Sequence, residues 1–570
     1  MSEKTQSPAK LLILISLIQG FILLFLHQAI ELKFWPNSSP QWLFSFYSMA
    51  FVGPIMLLLG LKTNQEVAVV KWALPFTIIA GLLGYYVGYQ STPIAHVKYD
   101  ALLFAFITTM GIAVFKALIY VQQFVSGEKF SYSHLFRWSW RNFLTLVLAL
   151  LFAACFWGVL MLWAGLFKAI KINFFYDLFT ECWFYYPAVA LANGFGVIIF
   201  RNLSQVIDTI TRLQQALMKF LLVILVLVSI LFLCTLPLTG LAPLWESGGS
   251  GLILWMQAII LFFINAVYQD DPDMRPYHLW LHRFIYCGAA LLPIYSAISF
   301  YGLSLRVDQY GWSIERCWAM LTWLLLALFS IGYWVGIIRY RDNWLRQLSK
   351  VNVSMGLVVL AVMLLVNSPV LDFRKIVVNS QLQRLENKKI LIDDFDINYF
   401  REHLARPGYL ALEDLKAKYA KSNLELVVRI NSLYSDKKNN AIGSSKQEFI
   451  AAVKISSGVI PDDLATAIYI NISSKNKWEL ESIKRYYLMP LDMNSDGQLE
   501  YLFVKEMTND TSIDLYFLEN AKWLTAGFSN SEKNQDFKSI FFDAVAAGKF
   551  EIAKPAWQDL MIGGYRLHAD

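Results

Sequence analysis

Cysteine is scarce, and beyond residue 317 it is absent. Cys155, Cys182, Cys234, Cys287 and Cys317 are the only five in 570 residues. None stands in CxxC or zinc-ligand spacing, so they read as small apolar residues, and no disulfide can brace the C-terminal third. Charge is scarce too: 16% of residues are charged and 56% are hydrophobic. A mean hydropathy of +0.45 excludes a soluble globular chain of this length. No Walker loop, GxSxG or HExxH is present, so the common hydrolase and nucleotide-binding signatures are missing. No internal repeat stands out, which leaves inverted-repeat transporter architecture without support.

What the sequence has is long apolar runs, such as "LLILISLIQGFILLFL", "FLTLVLALLFAACFWGVLMLWAGLF" and "FLLVILVLVSILFLCTLPL". As helices these reach across about 30 Å of hydrocarbon. The first exceeds an ordinary signal-peptide core and lacks a small-residue cleavage site after it, so it reads as a membrane helix. Eleven spans are expected, at roughly 9–31, 44–61, 72–91, 101–124, 142–167, 181–200, 219–240, 251–269, 283–305, 317–338 and 352–371. The amphipathic segment "RNLSQVIDTITRLQQALMK" either lies along the membrane surface or extends the seventh span.

Charge is distributed unevenly. Residues 1–370 hold 23 Lys+Arg against 15 Asp+Glu, whereas residues 371–570 hold 26 against 28. The basic excess belongs to the membrane part, where it encodes topology and not nucleic-acid binding. With the N-terminus cytoplasmic, sixteen basic residues fall in cytoplasmic segments and six on the other side: Lys33, Lys98, Lys168, Lys171, Arg306 and Arg316. The positive-inside rule thus places the N-terminus inside and the C-terminal domain in the periplasm or outside the cell. Trp and Tyr near the span ends (Trp35, Trp42, Trp72, Trp183, Tyr185) suit the headgroup level.

After residue 371 the pattern changes. "SQLQRLENKKI" and "INYFREHLARPGYLALEDLKAKYAKSNLELVVRINSLY" read as helices, interrupted by a turn at Pro407-Gly408. "ATAIYINIS", "KRYYLMPLDM", "EYLFVKEM", "IDLYFLEN" and "KWLTAGFS" read as short strands, and "NQDFKSIFFDAVAAG" as a helix. The expected fold is therefore an all-α membrane bundle of about eleven helices over 1–371, followed by a small extracytoplasmic α+β domain over 372–570.

Four stretches carry candidate chemistry. In "PLDMNSDGQLEYLFV", Asp492, Asn494, Asp496 and Glu500 supply side-chain oxygens at positions one, three, five and nine. Gly497 permits the sharp turn, and Gln498 offers a backbone carbonyl. This is a calcium-type pattern. Phe503 stands where an EF-hand places its bidentate Glu, so the loop resembles the short calcium loops of β-rich proteins; the plain alternative is an Asp-Gly hairpin turn. In "RVDQYGWSIER", Arg306 and Arg316 flank Tyr310-Gly311. They read first as a salt-bridged turn on Asp308 and Glu315, with phosphate or carboxylate binding as the alternative. His278 and His282, at i,i+4, have metal-ligand spacing but also suit an interfacial helix start. Within the spans, Lys116, His27, Asn193 and Asn265 are the polar candidates for a substrate path.

"RVDQYGWSIERCW" resembles the Tyr-Gly-x-Ser/Thr-x-x-Arg signature of the bacterial domain-of-unknown-function family 4153, with Trp312 where Leu is commoner. "SQLQRLENKKILIDDFDINYFREHLARPGYLALEDL" and the late Asp-x-Asn-x-Asp-Gly-x-x-Glu loop look similar to that family's C-terminal region, so the resemblance is expected over roughly 40–530. It implies a bacterial integral membrane protein and no particular activity. The expected setting is the inner membrane, with lipids as partners. Eleven spans exceed what an anchor needs, so a transporter or flippase-like role with an accessory periplasmic domain leads. An envelope sensor or assembly scaffold with a calcium-stabilised domain is the alternative. An enzyme ranks below both, since no catalytic constellation appears.

Overall fold

In a computed structural model of the chain, the residues described are 8–127, 130–241, 243–244, 249–268, 276–392, 394–421, 423–434, 450, 453–455, 458–473, 483–494, 496–507, 511–519, 522–528, 560–562 and 565–567. They form two compact units, Met1–Ile430 and Asn431–Asp570.

The first unit is helical. Its apolar runs form α1 (Ala9–Glu31), α2 (Pro40–Gly60), α3 (Glu66–Gln90), α4 (Asp100–Val125), α5 (Tyr132–Ala169), the short α6 (Phe174–Thr180), α7 (Cys182–Asn202) and α8 (Ser204–Thr239). There follow α9 (Ser250–Val267), α10 (Leu279–Ala290), α11 (Leu292–Tyr310), α12 (Ile314–Tyr340) and α13 (Leu345–Leu365). Among the described residues, ten helical stretches are long and apolar enough to cross a membrane, with α10 and α11 counted as one, Leu279–Tyr310. The eighth of the eleven expected spans corresponds to a shorter apolar helix, Gly251–Val267. The segment from Ser204 simply continues into α8, so its amphipathic stretch extends the seventh span. One core cluster gathers Leu222 and Val226 of α8, Ile260 and Ile264 of α9, Ile285 of α10 and Tyr333 of α12. A second joins Leu12 of α1, Leu58 of α2, Leu118 of α4 and Val197 of α7.

Four polar-faced helices follow: α14 (Phe373–Glu386), α15 (Ile397–His403), α16 (Ala405–Tyr419) and α17 (Leu424–Tyr434). The apolar composition ends near 371, yet the compact unit continues to Ile430. The reason lies in the contacts. Asp372, buried at 3% exposure, caps α14 by accepting from Arg374 N (3.0 Å). Its other oxygen accepts from Tyr86 Oη (2.7 Å) and Gln90 Nε2 (3.1 Å), which ties α14 to the end of α3. Arg406 Nη1 donates to the Thr92 carbonyl (2.9 Å), and Lys98 pairs with Glu402 at 2.6 Å. A composition boundary and a packing boundary therefore fall about sixty residues apart.

Pro407 and Gly408 do not form a turn of their own; they lie in the first turn of α16. The break falls instead at Leu404-Ala405, where Ala405 has φ +46°. A Cβ on Gly408 would lie 2.2 Å from the Phe400 carbonyl oxygen, so Gly408 lets α15 and α16 cross closely.

The second unit holds a five-stranded sheet in the order β1 (Val453–Ile455), β2 (Ile483–Leu491), β3 (Glu500–Met507), β4 (Thr511–Glu519), β5 (Lys522–Phe528). β1 runs parallel to β2, and the rest form an antiparallel meander. Here "ATAIYINIS" departs from its expected strand: it belongs to α18 (Asp462–Ser473). Leu464, Ile468 and Ile472 recur every four residues and pack on Tyr486, Leu488, Tyr501, Phe503 and Tyr516 of the sheet. The helical stripe and the acidic first turn outweigh the β-branched composition. A short pair, β6 (Leu560–Ile562) with β7 (Tyr565–Leu567), follows. The expected helix "NQDFKSIFFDAVAAG" lies outside the described residues.

Candidate functional site

Lys116 is the cation that sequence places inside a span, nine residues before the end of α4 and so about 13 Å from it along the axis. In the structure it lines a cavity of about 400 Å³ between α4, α5, α9, α12 and α13. The other walls are mainly apolar and aromatic, including Phe115, Tyr120, Phe136, Trp140 and Phe262. No ion pair of Lys116 occurs among the described residues, although seven other pairs do. Asn265 and Asn352 also line this cavity. Asn352 Nδ2 donates to Asn265 Oδ1 (2.7 Å), and the Tyr333 hydroxyl sits between the two amides. Tyr132 Oη donates to the Asn265 carbonyl at 2.8 Å. Sequence reasoning found Lys116 and Asn265 but missed Asn352 and Tyr333; a single Asn near a span end carries no signal until its partner is known.

A second cavity, about 540 Å³, lies along the same two helices towards the other end of α4. α4 contributes Ala101 to Ile112 here and Phe115 to Tyr120 to the first cavity. α13 and its end contribute Met363, Val366 and Asn367 here, and Asn352 and Gly356 there. The polar lining residues of the second cavity include Thr108, Thr109, Glu315, Arg374 and His403. His27 and Asn193 line neither cavity.

The 306–316 stretch is a structural knot. Arg306 and Tyr310 lie on α11, and Gly311 ends that helix with φ +73°. Ser313 caps α12, its hydroxyl accepting from Arg316 N at 3.3 Å. Arg316 does not form the expected salt bridge with Glu315 among the described pairs. Its Nη1 donates instead to the Gly311 carbonyl (2.7 Å), and its guanidinium lies over the Tyr310 ring. α14 and α15 then clamp the loop. Gln381 Nε2 donates to the carbonyls of Tyr310 (3.2 Å) and Trp312 (2.8 Å). Arg384 donates to those of Asp308 (3.1 Å) and Gln309 (2.6 Å), and Ser380 Oγ accepts from Trp312 N (3.1 Å). Tyr399 Oη accepts from Ile314 N at 2.9 Å. Burial pushes the Tyr399 phenol up to about 12, so it stays protonated and can also donate towards Glu315 (3.4 Å). The Tyr-Gly-x-Ser-x-x-Arg string is thus a cap-and-clamp motif in which the Ser313 and Arg316 side chains satisfy backbone groups, Tyr310 carries the guanidinium and Gly311 makes the turn.

In the second unit, the loop between β2 and β3 folds its oxygens onto its own backbone. Asp492 accepts from Asp496 N (3.2 Å) and Gly497 N (3.1 Å), Asn494 Oδ1 from Asp496 N (3.0 Å), and Asp496 Oδ1 from Gln498 N (2.7 Å). Glu500, largely buried, accepts from Met493 N (2.7 Å). Gly497 takes φ +84°. The donor chemistry, side-chain oxygens plus the Gln498 carbonyl, suits a hard cation. The carboxylates of Asp492, Asp496 and Glu500 are not drawn within 4.8 Å of one another; among the described residues the only His/Cys/Asp/Glu trio that close is His27, Glu31 and Cys182. His282 is buried, with Nδ1 at 3.1 Å from Tyr268 Oη and Nε2 at 3.3 Å from the Asp342 carbonyl, while His278 stands at the N-cap position of α10 without a side-chain capping bond. Both ring nitrogens of His282 are engaged, so the i,i+4 pair forms no metal site here.

No curated protein and no solved structure matches the chain. A family profile does, over residues 14–415, and it leaves the 492–500 loop outside the match. The matched stretch begins within α1 and runs through the rest of the bundle, the 306–316 knot and α14 and α15, and by it the chain belongs to the family described as Domain of unknown function (DUF4153).

Proposed function

We propose that the membrane unit binds and moves an anionic amphiphile, as a transporter or flippase-like protein, with Lys116 as the headgroup contact. The observation that carries this reading is a lysine without an ion pair among the described residues, facing a cavity of mostly apolar walls. A cation held there favours a ligand with one anionic group and an apolar body, such as an acidic phospholipid or a fatty carboxylate. The second cavity along α4 and α13 supports movement, since one pair of helices lines sites at two depths. The test uses full-length protein in mild detergent with phosphatidylglycerol as the probe. Native mass spectrometry should show retained lipid in the wild type and in Lys116→Arg, and about tenfold weaker retention in Lys116→Met, equivalent to about 1.4 kcal/mol. Equal retention by all three sinks the proposal.

The crossing number in this reading is eleven. Residues 91–99 and 310–314 both contact the segment from Asp372 to Arg406, through Arg406–Thr92, Lys98–Glu402, Gln381–Trp312 and Ile314–Tyr399. Two loops that share a docking face lie on the same side, so an even number of crossings separates them. α4, α5, α7, α8 and the α10–α11 stretch make five, and α9 makes the sixth. Its 18 residues rise about 27 Å, close to the hydrocarbon thickness. Together with the basic bias of the loops, this supports a cytoplasmic N-terminus and a segment after Asp372 in the periplasm or outside the cell. Alkaline phosphatase fused after Asp570 should be active, and a reporter that fluoresces only in the cytoplasm should stay dark there. The reverse pattern would invert the orientation.

The envelope sensor or scaffold reading draws on the second unit, whose separate core and calcium-type loop a transport path does not need. If the Lys116 variants retain lipid equally, that reading gains.

A further inference from the structure

We propose that His27, Glu31 and Cys182 form a site for a divalent transition metal of the zinc class. His27 and Glu31 stand at i,i+4 near the end of α1 and so share one face. Cys182 opens α7, far away in sequence. The fold brings the three together: His27 Nε2 lies 3.2 Å from Glu31 Oε1, and one ligand atom from each of the three residues lies within 4.8 Å of the others. Zinc bonds of about 2.0–2.3 Å in a tetrahedron put neighbouring ligand atoms about 3.3–3.8 Å apart. The nitrogen–oxygen edge is therefore already at ligand spacing, and the sulfur needs to close by at most about 1.2 Å.

A helical His–Glu pair alone would be an ordinary surface contact. The thiol arriving from a second helix is what such a pair does not need. Its position is fixed by tight packing of α1 on α7. A Cβ on Gly20 would lie 2.8 Å from Pro187 Cα, and one on Gly194 would lie 2.1 Å from Ser16 Oγ. These contacts lock the register of the two helices, and the Tyr186 ring packs on His27 at 5.2 Å. The ligands thus sit on rigid elements before any metal arrives.

The donor set selects the ion. Imidazole, thiolate and a carboxylate together suit zinc and its neighbours, and not calcium or magnesium, which take oxygen. His27 and Cys182 are half-buried and Glu31 is exposed, so a metal can enter and keep its fourth position for water. On binding, the Cys182 thiol loses its proton to solvent as the metal–sulfur bond forms, with no change in oxidation state.

The test is a cobalt(II) titration of full-length protein in detergent, with any affinity tag removed and bound metal first chelated. One equivalent should give a thiolate-to-cobalt charge-transfer band in the near ultraviolet and visible bands of tetrahedral intensity, and zinc should displace both. Cys182→Ser should remove the charge-transfer band, whereas Cys155→Ser, at an exposed thiol elsewhere, should keep it. His27→Ala and Glu31→Gln should each weaken cobalt binding by more than about tenfold. A wild type without the band, or a band that survives Cys182→Ser, overturns the site. Should Cys182→Ser fail to fold, zinc protection of Cys182 from alkylation in the wild type, mapped by mass spectrometry, decides: equal labelling with and without zinc also overturns it.

Discussion

Gly311→Ala is expected to remove most of the folded protein. Gly311 has φ +73° and ψ −175°, a region essentially confined to glycine, and a side chain there costs about 1–3 kcal/mol in the backbone alone. The new methyl would also lie 2.5 Å from Arg384 Cδ and 3.0 Å from Gln381 Nε2. Those two side chains satisfy the carbonyls of Asp308, Gln309, Tyr310 and Trp312, so moving them loosens the whole clamp of α14 on the loop. Each hydrogen bond contributes about 0.5–1.5 kcal/mol net, and an unsatisfied buried group costs more. Monodisperse yield from membranes should fall severely, and what survives should melt well below the wild type. Arg316→Ala loses the contact to the Gly311 carbonyl and its place over Tyr310, and should reduce yield to a smaller degree; Arg306→Ala tests the same loop. Normal yield and melting in Gly311→Ala would refute the clamp. Normal yield with lost cellular function in the arginine variants would instead revive an anion site.

The bundle was legible in the sequence because lipid demands long apolar helices whose backbone groups are satisfied internally. Strands β2 to β5 were legible for a similar reason: alternation and turn residues bound them. α18 was not, because Ile and Thr favour strands by composition, and only the spacing of Leu464, Ile468 and Ile472 reveals the helix. The extent of the first unit was hidden as well. Nothing in the local sequence of α14 to α16 announces that Asp372 meets Tyr86 or that Arg406 meets Thr92. At the 306–316 stretch, sequence offered Asp308 and Glu315 as partners for the arginines, whereas Arg316 donates to the Gly311 carbonyl, a contact that no side-chain pattern announces. The cavity was half visible. Lys116 is conspicuous as a charge inside a span, while Asn352 and Tyr333 gain meaning only once three helices converge.

The unit Asn431–Asp570 is expected to melt several degrees higher in millimolar calcium than in EDTA. Asp492, Asp496 and Glu500 bring three carboxylates to one short hairpin, and no cysteine in this unit can form a disulfide to reinforce it. Without a cation the loop relies on backbone N–H groups to quench that charge: Asp492 holds Gly497 N, Asp496 holds Gln498 N and Glu500 holds Met493 N. This arrangement pre-turns the loop, and an ion bound there would offset the mutual repulsion of the acids. Binding to the folded form alone adds about 2.7 kcal/mol at one hundred times Kd. That gain acts on the β2–β3 pairing, where Leu491 faces Glu500 at the loop's base. In the full chain the same effect should slow hydrogen exchange across this hairpin. Asp496→Ala removes a candidate ligand and the Gln498 cap together, and should abolish the calcium-dependent difference. Magnesium should substitute poorly, since it demands a tighter octahedron. Identical melting in calcium and in EDTA would leave a self-capped Asp-Gly turn, held by the six hydrogen bonds present among the described residues of the loop.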